Sequence, residues 1–287
     1  MIEILAWNDD YDMLPDEVAG VPEIHLVRDR ARCTEADAVI FHIPSLRRVP
    51  DPDVKPAGQR WVAWSMESDV NYPMLADPTF LDAFDLTMTY RRDADVWVPY
   101  LSAEVLDPGP RWMPSAGTDD ALAVYVASNP RCPSGRDDYV AELMAHLPVA
   151  SYGRCLNNRT WASDLGRPTK LATFARHPFT LAFENSVSDD YVTEKFFDAL
   201  CAGSVPIVLG APNVAEFAPS PESYLDVRDF RDPAALASRI DALRADEAAY
   251  ASMLRWKAEG ASPAFRALAA EIGADPWLRL ARRLRST

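Results

Sequence analysis

The run Glu184-Asn185-Ser186, followed by Asp189-Asp190-Tyr191-Val192-Thr193-Glu194-Lys195, is the part of this sequence best equipped for chemistry. An apolar stretch, Phe179–Phe183, runs into polar residues and an acidic turn. A helix is expected over Val192–Ala202, with Asp190 as its N-cap and Gly203 as its stop. Helical spacing puts Val192, Phe196, Ala199 and Leu200 on one face and Tyr191, Glu194, Lys195 and Asp198 on the other. That polar face starts where backbone N–H groups and the helix dipole favour an anion, and Lys195 adds a full positive charge. The combination suits a diphosphate, with Glu184 or Glu194 accepting hydroxyls of a sugar or ribose. The same residues also read as an ordinary solvated helix face, and spacing alone does not separate the two readings.

The elements that must hold this segment follow from periodicity. In the second half, Leu122–Ala127, Val149–Tyr152, Phe179–Phe183 and Val205–Leu209 read as strands, separated by helices over Arg136–Leu147 and Val192–Ala202. Further helices are expected over Pro233–Arg244 and Asp246–Trp256. This alternation predicts a doubly wound parallel sheet. In the first half, Ile2–Trp7, Ala38–Ile43, Arg60–Trp64, Leu86–Tyr90 and Val96–Pro99 read as strands buried on both faces. The breaker-rich run from Asp107 to Gly117 is read as an interdomain linker. Two α/β domains with a cleft at the carboxyl ends of their sheets are therefore expected. Their bounds are 1–115 and 116–270, followed by a C-terminal amphipathic helix over 271–287.

Bulk composition narrows the function. The 287 residues suffice for two cores, and a formal net charge of -14 argues against nucleic acid as the main partner. An anionic small molecule would have to be met by a local basic site. Cys33, Cys132, Cys155 and Cys201 form no C-x-x-C pair, and with four scattered His residues no zinc cluster is expected. Cys132 and Cys155 flank one strand-helix-strand unit and could approach each other, but are expected as thiols in a reducing compartment. No apolar stretch approaches the ~20 residues of a membrane span, so a cytoplasmic protein, or a catalytic fragment of a longer one, is expected. Asp275-Pro276 opens a short helix with Trp277, Leu280, Ala281 and Leu284 on one face and Arg279, Arg282, Arg283 and Arg285 elsewhere. It could touch an anionic membrane surface weakly or pack back on the first domain, and the second is favoured because the segment is short for membrane attachment.

The run from Phe179 to Phe230 resembles the donor-binding signature of the alpha-1,3-fucosyltransferases, glycosyltransferase family ten in its soluble bacterial form. WSMES (Trp64–Ser68), TMTYRRDADVWVPY (Thr87–Tyr100), VASNPRCPSGRDDYV (Val126–Val140) and SYGRC (Ser151–Cys155) resemble further family segments in the same order. The resemblance implies a GT-B type enzyme of two Rossmann-like domains facing a central cleft. It implies transfer of L-fucose from GDP-beta-L-fucose, with inversion, to a glycan hydroxyl, without cofactor or metal. The acceptor group implied is the 3-hydroxyl of N-acetylglucosamine or glucose, with a 4-hydroxyl left open. It assigns Asn129, Arg136, Tyr152, Gly153, Glu184, Asn185, Ser186, Tyr191, Thr193, Glu194 and Lys195 to the donor site. Arg136 and Lys195 would oppose the charge of the leaving diphosphate.

Glu67 matches the family's acceptor-side carboxylate, the proposed base. The family's Glu-Ser-Pro is here Glu67-Ser68-Asp69, which makes Asp69 a competitor. Asp93-Ala94-Asp95 has metal-binding spacing but is read as structural, and His177 and His42 are read as a loop residue and a hydrogen-bonded core residue. Two alternatives stand beside this reading. One is a transferase of the same fold using another GDP-sugar, and the other is a non-catalytic sugar-nucleotide or glycan-binding protein.

Overall fold

The computed structural model describes residues 1–8, 14, 18, 21, 23–101, 103–105, 120–130, 132–272 and 275–286. The expected linker at Asp107–Gly117 lies outside the described residues. Two units emerge, Met1–Pro99 with Ile272–Thr287, and Tyr100–Glu271.

In the first unit, β1 (Ile2–Asn8), β2 (Ile24–Val27), β3 (Ala38–His42), β4 (Arg60–Ser65), β5 (Leu86–Thr89) and β6 (Val96–Trp97) form a parallel sheet. Their order is β2-β1-β3-β4-β5-β6. Alternate side chains build a core on each face, as the pleat requires. Ala38, Ile40, Val62 and Trp64 point into one, and Val39, Phe41, Trp61 and Ala63 into the other. The short helix α1 (Pro78–Leu81), capped by Asp77, lies on the second face with Phe80 and Leu81.

The second unit carries β7 (Ala123–Ala127), β8 (Val149–Gly153), β9 (Phe179–Phe183), β10 (Val205–Leu209) and β11 (Leu225–Asp226), all parallel, in the order β11-β10-β9-β7-β8. Its helices are α2 (Arg136–Leu143), α3 (Arg167–Phe174), α4 (Glu194–Ala202), α5 (Pro233–Ala245), α6 (Glu247–Met253), α7 (Trp256–Glu259) and α8 (Pro263–Ile272), the last ending at the unit's edge. In each unit the chain starts mid-sheet, adds one strand on one side and then reverses. The reversal lies between β1 and β3 in the first unit and between β7 and β9 in the second. Open parallel sheets bind ligands in the crevice at that reversal, outside the carboxyl ends of the strands.

Several boundaries differ from expectation. The helix α4 starts at Glu194, not Val192, and Asp190 has a left-handed backbone (φ 64) in place of the extended one typical of a non-glycine N-cap. Thr193 is extended instead, and its side chain accepts from Lys195 N. The helix α2 ends at Leu143 and tightens into i→i+3 bonds, His146 N–H donating to Leu143 O, before Pro148. The segment expected as one helix to Trp256 breaks at Leu254 into α6 and α7. The strands β2 and β11 and the helix α3 carry too little periodicity to be anticipated. All four cysteines are thiols.

The final helix, α9 (Pro276–Arg285), packs on the first unit. Leu280 and Ala281 are buried in the core that holds Ile4 and Ile40, with Trp277 and Leu284 against it. Arg279 Nη2 donates to Trp97 O, and Arg283 Nε donates to Asp95 O at 3.2 Å. The apolar face that a membrane contact would need is thus occupied by protein. Among the described residues no helix is long and apolar enough to cross a membrane.

Lys257 of α7 fastens the carboxyl end of α4. Its Nζ donates to Leu200 O at 2.7 Å and lies 5.1 Å from the Trp256 ring centroid. Burial pulls its ammonium down to about 8. With the folded value below the unfolded one, the native state carries a charge penalty that is full below pH 8. The penalty lifts as pH rises toward the ordinary lysine range, because the unfolded chain then binds more protons. Stability of the wild type relative to Lys257→Met is therefore expected to rise by about 1–3 kcal/mol between pH 7 and pH 10. Paired urea titrations at the two pH values would show it; a constant difference would refute it.

Candidate functional site

The strands β7 and β9 pair only at Ala123–Phe179 and Val124–Thr180, whereas β9 and β10 pair along all five residues. The carboxyl halves of β7 and β9 therefore splay, and Arg136, the first residue of α2, bridges the gap. It is 3% exposed, with Nη1 donating to Phe183 O at 3.1 Å and Nη2 to Asn129 O at 3.0 Å. Ser134 ties the same loops, Oγ donating to Glu184 O at 2.7 Å and N–H to Asn185 O at 3.3 Å. A buried guanidinium engaged this way is expensive to disturb, so it fixes the two loops relative to each other.

Glu184, the residue after β9, is 2% exposed, and both its oxygens are engaged. Oε1 accepts from Thr193 N at 2.8 Å, and Oε2 accepts from Thr193 Oγ1 at 2.9 Å and pairs with Lys195 Nζ at 3.2 Å. Lys195 Nζ also donates to Thr193 Oγ1 at 2.9 Å. The Glu184 carboxylate thus clamps the N-cap of α4 and aims the lysine of its first turn. Gly210 is needed alongside, because a Cβ there would stand 2.8 Å from Glu184 Cγ. Burial pushes the Glu184 carboxyl up, against the pull of Lys195 and the Thr193 hydrogen bonds. Burial also opposes the Lys195 charge, but Glu184 and Glu194 outweigh it and hold the ammonium above its ordinary value. For Glu194 burial is outweighed by Lys195 and Lys170, which keep it ionised.

The helix face that also read as a solvated one is covered at Asp198. Asp198 is 2% exposed, and α3 supplies its partners, Arg167 Nε at 2.8 Å and Lys170 Nζ at 2.7 Å. Arg167 reaches on to Glu104 at 2.7 Å, and Lys170 lies 3.8 Å from Glu194. Sequence reasoning did not single out Lys170, Arg167, Ser134 or Asn213. Nothing in their spacing marks them, since each acts across a loop that only the fold brings near. Asn213 holds the left-handed Asp190, with Asp190 N–H donating to Asn213 Oδ1 and Asn213 Nδ2 to Asp190 Oδ1, both at 2.9 Å.

The other donor-site candidates surround this cluster on the same sheet end. Asn129 is exposed at the end of the β7 loop, and Asn185 Oδ1 accepts from the buried Ser186 Oγ at 3.0 Å. Tyr191 is 2% exposed and meets Tyr100 edge-on at 6.3 Å. Tyr152 is buried and stacks on Trp161 at 4.8 Å. Gly153 has φ +88, and a Cβ there would stand 2.3 Å from Ala127 O, so β7 and β8 can end together only at glycine.

In the first unit, Glu67 follows β4, its N–H donating to Ser65 Oγ at 3.0 Å, and is not fully buried. Asp69 is engaged by Arg91 Nη1 at 3.5 Å and by Tyr90 OH at 3.3 Å. Asp93 pairs with Arg91 in a fork, and Asp95 accepts from Thr87 N at 2.8 Å, so this Asp-x-Asp serves the turn before β6. His42 is buried with Nδ1 2.8 Å from Ser45 Oγ. His177 is buried in a loop with Nδ1 2.8 Å from Thr173 O. Among the described residues no group of three or more His, Cys, Asp or Glu is placed to hold a metal ion.

Two family models cover nearly the whole chain. Residues 117–286 match the C-terminal model of glycosyltransferase family 10 (fucosyltransferase), and residues 2–101 match the fucosyltransferase N-terminal model. The chain belongs to glycosyltransferase family 10. The family-10 chain is 38% identical over 253 residues to a 3-galactosyl-N-acetylglucosaminide 4-alpha-L-fucosyltransferase of Pan troglodytes, covering 84% of this chain and 64% of that protein. It is 38% identical over 271 residues to a human 4-galactosyl-N-acetylglucosaminide 3-alpha-L-fucosyltransferase, covering 88% and 69%. It therefore spans about two thirds of these relatives' own lengths. The crystal structure of an alpha1,3-fucosyltransferase with GDP-fucose superposes with a TM-score of 0.61 at 20% identity, covering 89% of this chain and 81% of that one. That likeness establishes the GT-B type fold of two Rossmann-like units for the family-10 chain.

Proposed function

We propose that this chain transfers L-fucose from GDP-beta-L-fucose, with inversion, to a glycan hydroxyl, the 3-hydroxyl of N-acetylglucosamine or glucose, with no metal ion in the chemical step. The observation that carries the reading is Lys195, held by Glu184 and Thr193 in the first turn of α4 at the sheet reversal of the second unit. Relatives named for fucosyl transfer, and a structural neighbour crystallised with GDP-fucose, agree with that donor.

Displacement at the fucose C1 builds cationic character on the sugar and negative charge on the departing diphosphate. Lys195 and the N–H groups of α4 meet the leaving group, which is stabilisation where charge develops. Arg136 adds a fixed positive charge from beneath, close enough to act on Lys195 electrostatically. With these cations the leaving group needs no metal. Glu184, fully engaged inside the protein, is a positioning residue, whereas Glu194, with 42% of its side chain exposed, is the carboxylate able to accept a sugar or ribose hydroxyl. Glu67 takes the acceptor proton. Asp69 is unsuited because Arg91 and Tyr90 already engage its carboxylate.

The test is GDP release from GDP-fucose in EDTA, with and without lactosamine, lactose and chitobiose acceptors. Acceptor-dependent release is expected. Turnover only with another GDP-sugar would overturn the donor, and loss of activity in EDTA that a divalent ion restores would overturn the metal-free step.

A further inference from the structure

The loops that leave β9 and β10 start side by side, because the two strands pair in parallel along all five residues. Glu184 N–H donates to Leu209 O at 2.8 Å, and Gly210 leaves the room that the Glu184 side chain occupies. Further along, the two loops meet again where Asp190 faces Asn213.

The backbone of Asp190 is the irregular part of this contact. Its φ of 64 is left-handed, a conformation that carries a steric cost for every residue but glycine, although aspartate tolerates it better than most. Backbone of this kind persists where the surroundings over-determine it, and it gathers at functional sites. Asn213 supplies that determination twice, Oδ1 accepting from Asp190 N–H and Nδ2 donating to Asp190 Oδ1, both at 2.9 Å. The asparagine gives up a local role to do so. It stands at the N-cap of the 3-10 turn Val214–Phe217, where an asparagine side chain favours capping its own turn, yet it makes no capping bond. Its own loop is anchored in turn. Pro212 O accepts from Arg228 Nη2 at 3.2 Å, and Arg228 Nε donates to the buried Asp226, the last residue of β11, at 2.9 Å.

The turn held this way decides where the next residues go. Val192 N–H donates back to Asp190 O at 2.8 Å, and Tyr191, Val192 and Thr193 are all buried. Thr193 then meets Glu184 with both its N–H and its hydroxyl, and the same hydroxyl accepts from Lys195 Nζ at 2.9 Å. A right-handed backbone at Asp190 would redirect these residues and take Thr193 away from Glu184. Three links therefore join Asn213 to the lysine of the first turn of α4: Asp190, Thr193 and the Thr193 hydroxyl bond.

We propose that Asn213 is a positioning residue of the donor site. It acts through Asp190, whose left-handed turn sets Thr193 and, through Thr193, the Lys195 ammonium that meets the diphosphate. The ligand in this statement rests on the donor reading above; the hold of Asn213 on Thr193 rests on the hydrogen bonds alone.

The test compares Asn213→Ala, Asp190→Gly and the double variant Asn213→Ala/Asp190→Gly with the wild type. Glycine takes a positive φ without steric cost, so it should dispense with the clasp. Asn213→Ala is expected to weaken GDP binding by about ten-fold in calorimetry, as for two hydrogen bonds lost. It should raise the KM for GDP-fucose and leave that for the acceptor unchanged. Hydrogen exchange at the Tyr191–Thr193 amides should quicken with no ligand present. Asp190→Gly alone should lose less, and the double variant should regain most of the affinity and of the amide protection. Thermal midpoints give the control on folding. A lower midpoint in Asn213→Ala with GDP affinity and exchange unchanged overturns the proposal, since the role would then be structural only. An equal loss in Asn213→Ala and in the double variant overturns it too, because Asn213 would not act through Asp190. Faster exchange in Asn213→Ala, cured by glycine, in a protein whose wild type binds no GDP would sustain the hold on Thr193 and defeat the donor reading. Fucose transfer by all three variants at the wild-type donor KM would do the reverse.

Discussion

Lys195→Ala is expected to lower kcat/KM for fucosyl transfer by about 10²–10³-fold, the cost of removing one group aimed at developing charge. GDP should bind more weakly as well, because the same ammonium meets the ground-state diphosphate. The substitution has a second consequence. It leaves the Glu184 carboxylate, 2% exposed, facing Thr193 with no countercharge. Removing one partner of a buried pair costs about 3–5 kcal/mol unless the survivor takes up a proton. Burial already pushes Glu184 upward, so protonation is the available relief. A carboxyl whose folded value is raised contributes its stability at low pH and loses it as pH climbs through that value. Lys195→Ala is thus expected to be more stable near pH 5 than near pH 8 relative to the wild type. Adding Glu184→Gln should restore stability at pH 8, since an amide can still accept from Thr193 N–H, without restoring the rate. Thermal midpoints at two pH values and single-turnover rates for the single and double variants would check this. A Lys195→Ala enzyme of near-native rate would remove the donor site from the head of α4.

Glu67→Gln should fail differently. As the base, Glu67 is asked for about 10²–10⁴ in rate, and its loss should appear in kcat while GDP affinity stays unchanged. The matched control is Asp69→Asn. Asp69 is engaged by Arg91 and Tyr90, and Arg91 is also held by Asp93. Its neutralisation should therefore act mainly on the stability of the first unit and leave kcat within a few fold. Full activity in Glu67→Gln would hand the proton to another carboxylate, and a kcat collapse confined to Asp69→Asn would reverse the assignment.

The two families of variants test separate units of the chain. The donor cluster is built wholly within the second unit, from β7, β8, β9, β10, α2, α3, α4 and their loops, while Glu67 follows β4 in the first unit. A defect in GDP binding with intact acceptor binding, or the converse, would therefore locate a misassigned residue without further structural work.

The sequence by itself determined the long strands of both sheets and the donor segment. Near-continuous apolar runs such as Phe179–Phe183 and Ala38–His42 are buried along their whole length, because a strand covered on both faces leaves room for a polar residue only where it is hydrogen-bonded, as Thr180 and His42 are. Gly203 ends α4 as its type requires, with φ 78. The cluster Glu184, Thr193, Glu194 and Lys195 was legible because its members lie within one strand–turn–helix, where spacing dictates proximity. What periodicity could not supply was the partner across space. Asp190 looked like an N-cap, but Asn213 holds it left-handed and Thr193 takes the role. Asp198 read only as part of a polar face, open to a ligand or to solvent, but α3 covers it with Arg167 and Lys170. Arg136 read by resemblance as a residue facing the diphosphate, but the splayed ends of β7 and β9 also give it two carbonyls to bridge. Trp7 reads as a strand residue, but the pairing of β1 with β3 skips it, a shift of register between strands that no single strand encodes. Local pattern fixes which element a residue joins; burial and hydrogen-bond pairing between elements decide which polar groups are engaged and which remain for a ligand.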